Sequence, residues 1–266
     1  MIAIAEQPVP DHTSVTALTT FLRCGRLFEH RYILKTPPAF RPVNLAFGSA
    51  VHSALGLFYG RRMAGMDEPT VEELAADFSD AWTRELRAGD VPVLLDDGET
   101  EDGLNDKGVA MLQVFHEKAE RPVTVLGVEQ SFTVDVHDPE TGDVLPPLVG
   151  RLDAVVEDRG ASFTVLEHKT AARRYSDMKL RWDLQATAYS WAVQSMGLEA
   201  KVAFQVLLKT KTPALELYPV ERSELDHRYL LHTIAGVNRA VMAGAFPPVR
   251  DWWCHGCPYA VPCLSR

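Results

Sequence analysis

Two strand-like runs joined by a short turn constrain this chain more than any other feature. The first reads Gly150-Arg151-Leu152-Asp153-Ala154-Val155 and the second Val165-Leu166-Glu167-His168-Lys169-Thr170. An Asp-Arg-Gly turn at 158–160 lies between them, and residues 160–170 carry the β-branched and aromatic alternation of a strand. Side chains two apart on a strand share a face, so Glu167 and Lys169 point the same way. Asp153 falls near the end of the preceding strand. An anion and a cation held side by side suit a divalent cation and a water molecule. The plainer reading is a cross-strand salt bridge, because charged pairs are common at strand ends.

Ahead of these strands the sequence is helical. Ser14 reads as the cap of a helix through Cys24, with Ala17, Phe21, Cys24 and Phe28 on one stripe. A cysteine there, taken alone, is a small buried residue. A second helix runs from Phe47-Gly48-Ser49-Ala50-Val51-His52 to about Arg62, and its small residues at 48–50 allow close approach to another backbone. His52, one turn after Gly48, is by itself an ordinary core or surface histidine. Thr70 and Glu73 form a capping box for a third helix to about Ala88. The acidic stretch 96–106 reads as a solvated loop, and a fourth helix covers 109–120.

From Arg121 the pattern changes to strands at 123–129, 132–136, 147–157 and 163–169, an antiparallel meander with a turn at 137–142. Glu129 is a further acidic group for the neighbourhood of Glu167, an exposed strand carboxylate being the plainer reading. A helix over 177–195 places Gln185 and Tyr189 on one face with Trp182 near it. Strands at 202–209 and 215–220 and a helix capped by Ser223 toward Ala243 complete the order, which predicts an α/β sandwich with a mixed sheet.

A length of 266 residues fits one large domain, read here as a mainly helical part at 14–120, a sheet core at 121–221 and a helix with a cysteine-rich tail at 222–266. The formal net charge of −9 argues against a protein coated in basic surface, so a polyanionic partner would have to meet a local groove. No apolar run is long enough to cross a bilayer, and the opening residues lack the basic flank and apolar core of a signal peptide, which predicts a cytoplasmic protein without membrane association.

The end of the chain gathers Cys254, Cys257 and Cys263 into twelve residues rich in Gly, Pro and Trp, 252–263. Three cysteines so close can wrap their sulfurs around a metal centre. A four-coordinate site needs a fourth thiolate, and Cys24 is the one cysteine left. Paired disulfides are the alternative, disfavoured in a cytoplasmic chain. Spacing alone does not separate zinc from an iron–sulfur cluster.

Taken in order, Leu18-Thr19-Thr20-Phe21-Leu22-Arg23-Cys24, Gly48 to His52, Glu129, Gly150 to Asp153, Glu167-His168-Lys169, Gln185 to Tyr189, and Cys254, Cys257 and Cys263 resemble the RecB-like branch of the PD-(D/E)XK nuclease superfamily. Within it they are most similar to iron–sulfur exonucleases that include CRISPR-associated RecB-type nucleases and related viral proteins. The likeness runs over about 14–263, with two departures. Gly25 stands where many relatives have Pro, and His168 where an apolar residue is usual.

The resemblance implies a restriction-endonuclease-like mixed sheet flanked by helices, with a C-terminal cluster tail. It implies a metal-dependent DNA exonuclease in which His52, Asp153, Glu167 and the His168 carbonyl hold Mn2+ or Mg2+. Lys169 would orient or deprotonate the attacking water, and Gln185 and Tyr189 would contact the DNA backbone or the surroundings of Lys169. Cys24, Cys254, Cys257 and Cys263 would hold a 4Fe-4S cluster. An imidazole among oxygen ligands shifts preference toward manganese. The expected partner is DNA, single-stranded or at its ends, with homo-oligomers and other DNA-processing proteins left open. Arg173, Arg174, Lys179 and Arg181, and Arg23, Arg26 and Arg31, are candidates for lining its phosphates. Two other readings remain: an endonuclease or end-trimming enzyme in a larger complex, and a non-catalytic DNA-end-binding protein. No phosphate-binding Gly-x-x-x-x-Gly-Lys-Ser/Thr motif is present, so no unwinding activity is expected.

Overall fold

The computed structural model describes residues 10–157 and 163–265. The turn expected at 158–160 and the reading of the first nine residues therefore lie outside the described residues. In chain order the elements are β1 (Thr13–Ser14), α1 (Val15–Arg23), α2 (Gly25–Phe28), a π-helical turn (Glu29–Ile33), β2 (Arg41–Pro42), α3 (Val43–Met63), α4 (Val71–Arg87), β3 (Val93–Leu94) and α5 (Glu101–Lys118). Then follow β4 (Thr124–His137), β5 (Val144–Glu157), β6 (Phe163–Ala171), α6 (Asp177–Trp182), α7 (Leu184–Ser195), β7 (Ala200–Leu208), β8 (Ala214–Val220), α8 (Glu224–Met242), a 3-10 turn (Trp252–Gly256) and α9 (Ala260–Leu264).

Local chemistry explains where these elements depart from expectation. Residues 101–106, read as loop, form the first turns of α5. The Thr100 hydroxyl accepts from Gly103 N at 3.0 Å, and Glu101 and Asp102 lie at the positive end of the helix dipole. The single helix expected over 177–195 is broken at Asp183, whose carboxylate accepts from Gln185 N and Ala186 N and so starts a new helix, α7. Trp182 consequently belongs to α6 and is exposed. Cys24 lies between helices, in extended conformation, rather than on a helical stripe.

Strands expected separately at 123–129 and 132–136 are one strand, β4, with a change of phase inside it. Val125 and Gly127 are buried in its first half, Phe132, Val134 and Val136 in its second. The odd-to-even switch passes through Glu129, whose φ of +52° is left-handed. An extra residue of this kind flips the faces of a strand and occurs often beside active sites.

The residues fall into two compact units. One comprises Phe40–Ser131 and Arg151–Glu221. Its sheet is mixed: β5 is antiparallel to β6, β6 parallel to β7, and β7 antiparallel to β8. Parallel neighbours need a crossover, here α6 and α7. Glu167 pairs with Phe204, His168 with Gln205 and Lys169 with Val206. Leu166, Ala203 and Leu207 pack with Phe47, Val51, Leu55 and Phe58 of α3, Phe78 of α4 and Phe115 of α5. By strand alternation Val165, Phe204 and Val206 lie on the other face, where α7 packs on β7. Gly108 is the close-approach glycine of this helical layer, since a Cβ there would overlap the Phe78 ring. The small residues of α3 expected to do that job divide instead: Ala50 is buried, while a Cβ on Gly48 would meet nothing within 4 Å.

The other unit comprises residues 10–39, 132–150 and 222–265. Here β1 runs parallel to β5, with Thr13 opposite Leu148 and Ser14 opposite Val149. Phe28, Ile33, Val241 and Phe246 form its apolar cluster, with Phe21 edge-on to Phe28 at 5.4 Å. Gly25 sits where the chain passes close to it. A Cβ there would sit 2.8 Å from Pro247 N and Cδ, so the chain after Phe246 passes where a side chain would stand. No helix among the described residues is long and apolar enough to cross a membrane.

Candidate active site and metal centre

Helix α3, strands β4, β5 and β6 and helix α7 of the first unit converge on one group of polar side chains. His52, on α3, places Nε2 3.0 Å from the His168 carbonyl oxygen and Nδ1 3.4 Å from Asp153 Oδ1. Asp153 Oδ2 accepts from His168 N at 2.8 Å. Burial alone would raise the Asp153 pKa, but hydrogen bonding to His52 and the nearby imidazoles outweigh it and hold the carboxyl at about 2. Burial acts against the His52 cation too, yet the Asp153 carboxylate prevails and its pKa is raised.

Glu167 and Lys169 share the face of β6 turned toward α7, as two-residue spacing requires. Lys169 Nζ donates to Glu167 Oε1 at 2.5 Å and to Gln185 Oε1 at 2.8 Å. Gln185 Nε2 donates to the same Glu167 oxygen at 2.7 Å and to Tyr189 OH at 2.8 Å, and Tyr189 OH donates to Arg151 O at 2.8 Å. Each turn of this knot fixes the orientation of the next. Burial pushes the Glu167 carboxyl up to about 7, with Lys169 opposing and Asp153 adding to the rise. Burial likewise raises the Tyr189 hydroxyl, which therefore stays protonated.

His168 projects to the opposite face and is buried. Its ring stacks on Tyr59 at 5.1 Å, and burial lowers its pKa to about 4, so it is neutral. Tyr59 OH in turn donates to Gln205 Oε1 at 3.2 Å. The Tyr59 ring thus covers the buried His168 imidazole.

Among the described residues, His52, Glu129 and Asp153 bring three potential ligand atoms within 4.8 Å of one another. Glu129 is a half-buried group of this centre, not the exposed strand carboxylate of the plainer reading. Its carboxyl pKa is raised by burial, Arg151 opposing and Asp153 reinforcing. The phase change of β4, visible as a switch in hydrophobic alternation, was the sequence signal for it. Glu167 Oε2 is buried and receives no hydrogen bond. A clustered imidazole and two carboxylates, with a third carboxylate keeping a bare oxygen nearby, form a donor set that fits a divalent cation. The His168 carbonyl oxygen lies 3.0 Å from His52 Nε2 and has a second lone pair, so it stands beside this group as a further oxygen donor.

Of these groups His52, Glu129, His168 and Lys169 line a cleft of about 820 Å³, with Gly48, Ser49 and Arg151 also on its wall. Gly48 and Ser49 thus leave room at the site rather than pack a helix. Of the expected phosphate-lining cations, Arg174 pairs with Glu216, Lys179 lies over Tyr175 and Arg181 over Trp182. In the other unit Arg26 pairs with Glu29, Arg23 lies over Trp253 and Arg31 over Tyr32.

Cys24, Cys254, Cys257 and Cys263 all belong to that second unit and are free thiols. Burial raises the Cys257 thiol, and Cys24, Cys254 and Cys263 lie near enough to raise it further. Val249 N donates to Cys24 Sγ at 3.4 Å.

The mixed sheet, flanking helices and acid–lysine site define a nuclease of restriction-endonuclease-like fold. The chain belongs to the PD-(D/E)XK nuclease superfamily, whose family model matches residues 12–264. A solved structure from Eubacterium rectale described as a "Putative exonuclease" shares the fold, with a TM-score of 0.55 at 12% identity over 94% of this chain and 88% of that one. SSO0001 is similar more loosely, with a TM-score of 0.39 at 15% identity over 94% and 95% of the two chains. No curated protein sequence matches. The superfamily makes nucleic acid the substrate class.

Proposed function

We propose that this protein is a metal-dependent DNA exonuclease of the RecB-like iron–sulfur branch, acting as one nuclease domain. The observation that carries the reading is the Lys169–Glu167–Gln185 knot beside the His52, Glu129 and Asp153 group. A divalent cation held by His52, Asp153, Glu129 and the bare oxygen of Glu167 would supply charge neutralisation at the phosphate and acidify the attacking water. Lys169 Nζ, held between a carboxylate and an amide oxygen, would orient that water and steady the developing charge. Gln185 keeps the Lys169 ammonium and Glu167 carboxylate in register, and Tyr189 anchors Gln185 to the Arg151 carbonyl. The exonuclease reading follows the resemblance of the motifs and agrees with the description of the E. rectale structure.

The resemblance of the cysteine pattern is what supports a 4Fe-4S cluster, with Cys24, Cys254, Cys257 and Cys263 as the residues that would hold it. Cys24, Cys254 and Cys263 lie near enough to Cys257 to raise its thiol. The Val249 amide aimed at Cys24 is the type of contact that tunes such a cluster.

Digestion of end-labelled single-stranded and duplex DNA by anaerobically purified protein tests the activity, with Mn2+, Mg2+ or EDTA and a Lys169→Ala control. Metal-dependent shortening from an end, lost in the control, is expected, with Mn2+ at least as effective as Mg2+. Internal cuts would favour an endonuclease, and binding without cleavage a DNA-end-binding protein. Iron and sulfide analysis with the visible absorption band decides the cluster; zinc in its place would weaken the branch assignment and leave the nuclease.

A further inference from the structure

Arg151 and Glu129 face each other in the cleft with Arg151 Nε 2.6 Å from Glu129 Oε2. The N–H does not aim at that oxygen, which receives no aligned hydrogen bond. The contact is therefore an ion pair of poor geometry, and the Arg151 side chain is 62% exposed. Exposed pairs of this kind contribute little and are easily exchanged. Yet the chain holds Glu129 there in left-handed backbone, at φ +52°, a conformation that persists in a non-glycine residue only where the surroundings impose it.

Glu129 has two competing claims on its carboxylate. One oxygen pairs with Arg151, and the side chain also belongs to the group with His52 and Asp153. The remaining charged residues lining the cleft are committed. Glu85 is bound by Arg41, and Lys169 by Glu167 and Gln185. Among the described residues lining the wall Arg151 is the one guanidinium, and its own backbone carbonyl accepts from Tyr189 OH. Its backbone is thus tied to α7 while its head group is exposed.

We propose that Arg151 is a substrate-phosphate residue held in reserve by Glu129: Glu129 exchanges the guanidinium for the incoming cation, and the released Arg151 binds a phosphate of the nucleic acid. This rests on the nuclease reading for its substrate but not for the exchange. A guanidinium fork suits phosphate better than any other side chain in the cleft. Coupling its release to cation binding would favour phosphate capture when the centre is loaded.

The test has two arms. Calorimetric titration with Mn2+ in the absence of nucleic acid compares the wild type, Arg151→Gln and Glu129→Gln. Loss of the competing guanidinium should tighten Mn2+ binding by roughly two- to fivefold, the fold-change of an exposed pair, and Glu129→Gln should weaken it at least tenfold. In the second arm, a labelled single-stranded oligodeoxynucleotide is bound by Lys169→Ala protein across a salt series with and without Mn2+. Mn2+ should steepen the salt slope by about one phosphate contact. Adding Arg151→Gln should abolish the increment, and Arg151→Lys should restore part of it. Mn2+ affinity that is unchanged or weaker in Arg151→Gln overturns the exchange, as does a slope increment that survives the substitution. Absence of oligonucleotide binding in every protein would overturn the phosphate role together with the nuclease reading, while the calorimetric arm still decides the exchange.

Discussion

Gln185 and Glu167, eighteen residues apart in sequence, meet at 2.7 Å, and the amide that donates to the carboxylate also accepts from Lys169. Both charged groups of the site are therefore steered by one neutral side chain. Gln185→Ala should leave Lys169 on Glu167 alone and remove one of two donors from a buried carboxylate. Losing a hydrogen bond to a charged group costs about 1.5–3 kcal/mol, or roughly 10- to 100-fold in kcat. Nucleic-acid affinity should change little, as measured by steady-state kinetics beside equilibrium binding. An equal loss in affinity would place Gln185 on the nucleic acid instead.

The proton held at Glu167 makes metal binding and stability respond to pH in opposite directions. With its carboxyl raised from 4.5 to about 7, the folded apo-protein keeps between those values a proton that the unfolded chain has lost. Stability therefore falls as pH rises through that window. His52, raised above 6.5 by Asp153, adds to the fall above neutrality, because its pairing is complete only below the unfolded value. Thermal unfolding of EDTA-treated protein from pH 5 to 8 should show the decline, on the order of 2 kcal/mol. Glu167→Gln should flatten it. Mn2+ affinity should rise over the same range, with a proton released that calorimetry in two buffers detects and that Glu167→Gln removes.

What could be read from the sequence was what lies within a few residues. The Glu167/Lys169 spacing, the Thr70 capping box and the four cysteines needed no tertiary information. Asp183 was hidden because an Asp within an apolar helical pattern looks like a surface residue until its carboxylate is seen capping Gln185 and Ala186. Gly25 and Gly108 give no local sign that a Pro247 or Phe78 will pass so near. Arg151 sat inside the quoted motif, but only the fold brings it to Glu129, 22 positions earlier.

Gly25→Ala should show how tightly the unit bearing the cysteines is closed. The added methyl would lie 2.8 Å from Pro247 and 2.9 Å from the Phe246 carbonyl carbon, against backbone and a rigid ring that cannot swing away. Overpacking of this kind costs about 1–3 kcal/mol. A lower unfolding temperature is expected and, if the proposed cluster is present, loss of its iron, because Cys24 adjoins the displaced backbone. Retention of both would mean that the 246–247 segment relaxes freely.

Glu129→Gly separates what the residue does for stability from what it does for the metal. Left-handed backbone costs a non-glycine residue about 1–2 kcal/mol, and glycine adopts it without that penalty. Glu129→Gln keeps the strain and weakens the same exposed pair with Arg151, so the difference between the two variants reports the backbone alone. In EDTA the glycine variant should be the more stable of the two by about 1 kcal/mol, less whatever freedom glycine adds to the unfolded chain. Both should bind Mn2+ more weakly than the wild type. A glycine variant no more stable than the glutamine one would show that the turn at position 129 is imposed without strain. Mn2+ affinity unchanged in both would remove Glu129 from the metal centre and leave His52, Asp153 and the bare oxygen of Glu167 to hold the cation.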